Sequence, residues 1–497
     1  MEVLDTSIAN VALPHIAGSL SASVDEATWV LTSYLVANAI ILPTASWLSV
    51  RFGRKRYLAF SVLLFTISSA FCGMAQNLPE IVIARVFQGL GGGGLQPLVQ
   101  TILLESFPKH KRGPAMAALG MGIVVAPIIG PILGGWITDN YSWRWIFYIN
   151  LPIGFLGLFM QNQFLEDPPY IKHALKTRID TIGFGLMALW IGLLQIVLDK
   201  GQEADWFGAT WICVSTGVII VSLILFLVWE WRKQDPVVKL RILRNRNLAM
   251  GTLLVTCLGA LLYATTVVLP IFMQTLLRYT ATISGFAMSP RGIGSFCSML
   301  IIGRLVTRFD GRKLMALGFT GIALTCWSLT RINLDITSAS VSWSLFFNGL
   351  SMGFIFVPLT VLSVATLEQH EIHHATGIYS LMRNIGGGFG ISVMISLQAR
   401  GTQAHQAYLS AHLAAGDLIY REHLRSVAMA LRSLAPQAAF RAAHAIIYKE
   451  LLTQAALLAT IDTFQRLAAL ALCCVPLVLV FRRVHHVQIP EEEVLEA

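Results

Sequence analysis

Asp5 and Arg85 are the ionisable residues whose surroundings give them chemistry, because each stands in a run of apolar residues long enough to cross a bilayer. A guanidinium at membrane depth costs several kcal/mol unless it is paired or hydrated, so Arg85 is expected to face a protein interior. A carboxyl in the same surroundings can be neutral when protonated and anionic when coupled to cargo, which makes Asp5 a candidate proton carrier. The competing reading is a helix-end Asp at the headgroups. Glu2 lies three residues earlier, on roughly the same helical face. Arg383 is a second intramembrane Arg, facing either the interior of the second half or the cytoplasmic boundary, and Asp462 opens the last apolar run as a weaker candidate. Two further motifs are set aside. His370-Glu371-Ile372-His373-His374 matches H-E-x-x-H, which on a helix could bind zinc, but a hydrolase needs a third ligand and an open cleft. Gly89-Leu90-Gly91-Gly92-Gly93-Gly94 matches G-x-G-x-x-G without a preceding strand, and no Gly-Lys-Ser/Thr P-loop is present, so no nucleotide or other cofactor is expected.

The elements that must position these residues are membrane helices. The 497 residues are 55% hydrophobic and 13% charged, against about a quarter charged in a soluble chain. That excludes a disordered protein, a nucleic-acid-binding tail and almost any cytosolic enzyme. Windows of about 20 apolar residues fall near 2–18, 27–50, 57–76, 79–103, 113–137, 146–165, 181–199, 209–230, 248–272, 284–306, 314–331, 341–366, 377–398 and 457–481. All read as helices, since a barrel would show alternating strands. The seven cysteines lie in these runs and read as small core residues.

Basic residues cluster after every second run: Arg51, Arg54, Lys55 and Arg56; Lys109, Lys111 and Arg112; Lys172, Lys176 and Arg178; six between Arg232 and Arg246; Arg308, Arg312 and Lys313; Arg482 and Arg483. These ends are expected in the cytoplasm, with both termini inside. The end at 368–376 is a gap in the pattern, holding only His370, His373 and His374. The first run lacks a cytoplasmic flank, so the first helix is expected to be incomplete. The chain also repeats itself. Arg51-Phe52-Gly53-Arg54-Lys55 returns as Arg308-Phe309-Asp310-Gly311-Arg312-Lys313, and Gln88-Gly89-Leu90 with Pro97-Leu98 returns as Asn348-Gly349-Leu350 with Pro358-Leu359, at offsets of 258, 260 and 261. Two parallel six-span halves flank two extra spans, an arrangement that places substrate between the halves. The ionisable pair is expected at that seam.

At these residues the chain resembles a family, the fourteen-span drug:proton antiporters of the major facilitator superfamily (EmrB/QacA type), over essentially its whole length. Leu4-Asp5-Thr6-Ser7-Ile8-Ala9-Asn10-Val11-Ala12-Leu13-Pro14 is similar to that subfamily's first-span motif. Ser46 to Lys55, with Arg51, Gly53, Arg54 and Lys55, resembles the cytoplasmic loop motif, but has Ser46 for Gly and Val50 for the Asp that anchors a charge-relay latch, which puts the latch in doubt. Arg85-Val86-Phe87-Gln88-Gly89 resembles the fourth-span motif, and the resemblance implies a role for Arg85 in proton transfer. Ala126-Pro127 with Gly130-Pro131-Ile132-Leu133-Gly134-Gly135 resembles the antiporter motif of the fifth span. There Gly130 and Gly134 form a small-residue face for close helix approach, and Pro127 and Pro131 kink the helix.

The expectation is an all-α polytopic membrane protein: a six-helix bundle over 1–165, two linking helices over 166–240, and a second bundle over 241–497 with an external segment near 400–455 of one or two amphipathic helices. The resemblance implies proton-coupled export of small amphipathic drugs or toxins, with antibiotic resistance, from a bacterial inner membrane. It suggests docking of a periplasmic membrane-fusion adaptor and outer-membrane channel, and no nucleic acid. A single-metabolite exporter of the same fold is the alternative, and a membrane zinc hydrolase a remote one.

Overall fold

The computed structural model describes residues 1–108, 111–167, 180–233, 236–368, 371–411, 413, 418–431 and 436–482. The expected basic residues Lys109, Lys172, Lys176, Arg178 and Arg483, and His370 of the H-E-x-x-H match, lie outside the described residues. The chain runs through α1 (Glu2–Ser19), α2 (Val24–Ala27), α3 (Trp29–Phe52), α4 (Arg54–Met74), α5 (Leu78–Gly92), α6 (Leu95–Ser106), α7 (Arg112–Asn140), α8 (Trp145–Tyr148) and α9 (Asn150–Phe164). It continues through α10 (Thr181–Lys200), α11 (Thr210–Arg232), α12 (Arg246–Thr275), α13 (Ala281–Arg308), α14 (Gly311–Ser328), α15 (Ser338–Val364), α16 (Ile372–Ala411), α17 (Leu418–Ala430) and α18 (Pro436–Val478).

Each apolar run falls on helix, with two runs broken once. The fourth run is α5 and α6 across Gly93-Gly94, and the sixth is α8 and α9 across Ile149. Among the described residues, seven helices are long and apolar enough on their own to cross a membrane. The apolar residues do not all turn inward. On α11, Val214, Ile220, Val221, Ile224 and Leu225 are exposed, as a helix facing lipid tails requires. Cys213 and Cys473 are exposed as well, so the expectation that all seven cysteines are core residues holds for neither.

Local signals set the helix starts. Asn77 caps α5 by accepting from the Glu80 backbone N–H at 3.0 Å, Pro79 sits in the first turn, and Glu80 accepts from the Gln76 N–H at 2.9 Å. Asn245, Thr280, Asp310 and Thr337 cap α12 to α15 in the same manner. The segment near 400–455 differs from its expected form. α16 continues to Ala411 and α18 begins at Pro436, so most of it extends the flanking spans, and α17 is the one separate helix described there.

The first and second sets of spans meet at the end that carries the basic loops. Leu104, Met116 and Ala117 share an apolar cluster with Met299, Ile302, Phe356, Ile372 and Ala375. A Cβ on Gly113 would lie 2.3 Å from Val306 Cγ1, so α7 and α13 approach almost backbone to backbone. The Thr101 and Thr376 hydroxyls are 2.6 Å apart across the same boundary.

Candidate functional site

α1 carries Asp5 into the interior of the first set of spans, and α5 brings Arg85 to meet it. Arg85 Nη1 donates to Asp5 Oδ2 at 2.5 Å, and the residues are 0% and 2% exposed. Gln88, one turn further along α5, donates Nε2 to Asp5 Oδ1 at 3.0 Å and accepts from Arg85 Nη1 at 2.8 Å. A third donor comes from Asn150 at the first position of α9, whose Nδ2 lies 2.7 Å from Asp5 Oδ1. Asn150 also donates to Ser69 Oγ on α4 at 3.1 Å, and Ser69 donates to the Phe147 carbonyl at 2.8 Å. A buried ion pair needs partners for its lone pairs and protons; three side-chain donors satisfy the carboxylate, while Arg85 Nη2, like Asn150 Oδ1, has no hydrogen-bond partner among the described residues.

The cation has supports besides the carboxylate. Arg85 Nε donates to the Val30 carbonyl at 2.9 Å, and its guanidinium lies 4.5 Å from the Tyr34 ring centroid and 5.5 Å from that of Phe147. If Asp5 takes up a proton, Arg85 keeps a carbonyl, an amide oxygen and two ring faces. The cluster is therefore built to exist with net charge zero or plus one. Every partner belongs to α1, α3, α4, α5, α8, α9 or the turn before them. The pair is thus enclosed within the first six spans, which corrects the expectation that it lies at the seam. The reason is geometric: α8 and α9 cross behind α1 and close the cluster with Phe147 and Asn150.

The antiporter-motif glycines set the position of α1. A Cβ on Gly130 would fall 2.5 Å from Ser7 Cβ, and one on Gly134 would fall 3.1 Å from both Ile8 Cγ2 and the Ile8 carbonyl oxygen. α7 therefore packs its small-residue face against the turn of α1 that carries Asp5. Gly135 has looser space, with Val11 Cγ1 at 4.0 Å. Pro127 and Pro131 lie within α7, which continues through both.

The loop motif finds carboxylate partners despite Val50. Gly53 takes φ +88°, a conformation side chains resist, and turns α3 into α4. Arg54, 2% exposed, pairs with Glu105 of α6 at 3.0 Å. Lys55 donates its backbone N–H to Asp167 Oδ1 at 2.8 Å and its Nζ to the Asn162 carbonyl at 2.8 Å. Arg51 sits in the last turn of α3. Glu105 and Asp167 thus bring carboxylates to the loop although Val50 replaces the motif's Asp. The repeated loop acts likewise: Arg312 binds Asp310 at 2.9 Å and the Phe481 carbonyl beyond α18 at 3.3 Å.

Of the weaker candidates Glu2, Asn10, Gln88, Arg383 and Asp462, Gln88 joins the cluster and the others stand outside its hydrogen bonds. Glu2 Oε1 accepts from Asn38 on α3 at 2.9 Å and lies within electrostatic reach of Asp5, Tyr34 and Arg383, without a hydrogen bond to Asp5. Asn10 is exposed and takes no part in it. Arg383 reaches neither of its two expected surroundings alone: its Nη2 crosses to Gln96 of α6 at 2.5 Å, a contact between the two sets of spans. Asp462 lies in the middle of α18 beside His405 Nε2 at 3.0 Å and Arg466 Nη2 at 3.9 Å. His373 and His374 are buried at the start of α16. Gly89 and Gly93 abut the Tyr34 and Asn38 carbonyls, so the glycine run serves the packing of α5 on α3. Asn150, Ser69, Tyr34 and the Val30 carbonyl were not legible as site residues. Only the polarity of Asn150 at the edge of an apolar run could have marked it.

Fold and cluster together describe a polytopic helical transporter. The chain belongs to the Major Facilitator Superfamily, whose family description matches residues 1–391. It is 39% identical over 415 residues to "Multidrug export protein EmrB" of Haemophilus influenzae, covering 83% of this chain and 81% of that one. It is 37% identical over 418 residues to "Fatty acid resistance protein FarB" of Neisseria gonorrhoeae, with coverage of 83% and 81%. Among solved structures, the human organic anion transporter MFSD10 superposes with TM-score 0.60 at 12% identity, covering 96% of both chains. The proton:xylose symporter XylE superposes with TM-score 0.55 at 17% identity, covering 92% of both.

Proposed function

We propose that this chain is a proton-driven exporter of small amphipathic compounds, working by alternating access between residues 1–165 and 241–497, with 166–240 as a linking pair. The observation that carries the reading is the enclosed Asp5 cluster, in which a carboxylate can gain or lose a proton while its cation stays supported. Protonation at Asp5 changes how firmly α1 is held to α5 and α9, and α1 is the helix against which α7 packs its glycine face. α7 also packs on α13 of the second set of spans, so a shift of α1 has a packed route to the boundary between them.

The named relatives support amphipathic cargo, since their names refer to multidrug export and fatty acid resistance. The basic residues after all but one of the even-numbered spans support cytoplasmic termini, and the bacterial relatives support a bacterial inner membrane. That topology puts α17 and the projecting parts of α16 and α18 on the periplasmic side, where a membrane-fusion adaptor joined to an outer-membrane channel could dock. The full chain in proteoliposomes tests the reading. Ethidium movement should require an imposed proton gradient and collapse with a protonophore. Gradient-independent movement overturns proton coupling, and no movement of ethidium or of an anionic dye overturns export.

A further inference from the structure

Arg291 of α13 is a second buried guanidinium, and its surroundings are unlike those of Arg85. It is 6% exposed. It lies ten residues from the Ala281 end of α13, about 15 Å along the axis and so near mid-bilayer depth. Nη1 donates to Thr266 Oγ1 on α12 at 2.9 Å, and Nη2 has no hydrogen-bond partner among the described residues. The titratable neighbour it meets is the Cys326 thiol of α14. Its backbone carbonyl abuts Gly349 of α15, where an added Cβ would lie 1.8 Å away. Beside that glycine, Asn348 donates to Thr325 at 3.0 Å while its own Oδ1 has no donor among the described residues. The four helices around this cluster, α12 to α15, contain no Asp or Glu in their whole length. None of these four helices can therefore supply a carboxylate to neutralise Arg291.

An unpaired charge at this depth is costly, and a guanidinium with a free Nη2 is shaped to take a planar oxyanion. We infer that Arg291 is a cargo-binding residue, and that it takes the carboxylate of an amphipathic anion. This rests on the exporter reading and adds the charge of one cargo class to it. The anion supplies the missing countercharge, so the occupied core is neutral, and Thr266 holds the guanidinium in place before the anion arrives.

The test is equilibrium binding of pyrenedecanoate, its methyl ester and ethidium to the purified full chain, which needs no transport. Arg291→Gln should weaken pyrenedecanoate binding about tenfold and leave the ester and ethidium unchanged. Arg291→Lys, which keeps the charge, should stay within about threefold of the parent. Thr266→Val serves as a second variant if Arg291→Gln is poorly folded, with a smaller loss confined to the acid. Equal binding of acid and ester by the parent, equal loss of both in the variant, or unchanged acid binding in the variant each overturns the assignment. Loss of gradient-driven ethidium movement in the parent instead strikes the exporter reading, and leaves the binding result to decide Arg291.

Discussion

The two halves of this transporter each bury an arginine in a polar cluster, and they neutralise it differently. In the first, Arg85 faces Asp5, and Gln88 and Asn150 complete the carboxylate's partners. In the second, Arg291 faces a threonine hydroxyl, with Asn348 standing where the repeat places Gln88. Tyr34, whose ring lies against Arg85, precedes Arg291 by 257 residues, nearly the repeat offset. One duplicated frame has thus placed an aromatic ring in one copy and a cation in the other. The difference teaches that a duplicated bundle need not duplicate its charge balance. A core with its own carboxylate can change its charge by one proton, whereas a core without one needs an anion from outside.

The most severe way to break the comparison is Asp5→Asn, which makes the first cluster resemble the second. Gradient-driven ethidium efflux should fall to the protonophore-treated background while membrane abundance stays within about twofold, because Arg85 keeps its carbonyl and ring contacts. Dye efflux with parallel immunoblots of the membrane fraction measures both, and normal efflux would remove Asp5 from the proton path. The converse change, Thr266→Asp, gives Arg291 a carboxylate. It should weaken pyrenedecanoate binding about tenfold and spare ethidium, since the internal anion competes for the guanidinium. Gly130→Val pushes a side chain onto Ser7 and should slow efflux roughly fivefold, with overpacking costing about 1–3 kcal/mol that a thermal melt would register. Asn150→Ala removes one of the three donors on Asp5 and should slow turnover about threefold. If Asn150→Ala matches Asp5→Asn in severity, Asn150 is itself part of the proton path.

Much of the architecture was legible beforehand. A bilayer offers the backbone no water, so each crossing must be a helix of a minimum apolar length, and that length is written locally in the chain. The site was legible in part. Asp5 and Arg85 stood out because ionisable residues are rare at such depth, and Gln88 followed from its motif. Asn150 did not stand out, since a lone Asn near a run's edge looks like a headgroup residue until α8 and α9 turn it inward. Val50 pointed to a lost latch, yet Glu105 of α6 and Asp167 just beyond α9, 51 residues from Arg54 and 112 from Lys55, bring carboxylates to the loop. Arg291 went unremarked, because its meaning depends on which four helices surround it.

What the amino-acid sequence determined alone is the set of spans and the duplication that pairs them, because hydropathy and repeat offset are properties of neighbouring residues and of chain order. Which polar groups meet was decided only by tertiary packing. Arg85 and Asp5 are 80 residues apart, and their 2.5 Å contact exists because the glycine face of α7 lets α1 come close and α9 closes behind it. The same packing leaves Arg291 among helices that have no carboxylate to offer, a fact about neighbours in space that no local pattern encodes.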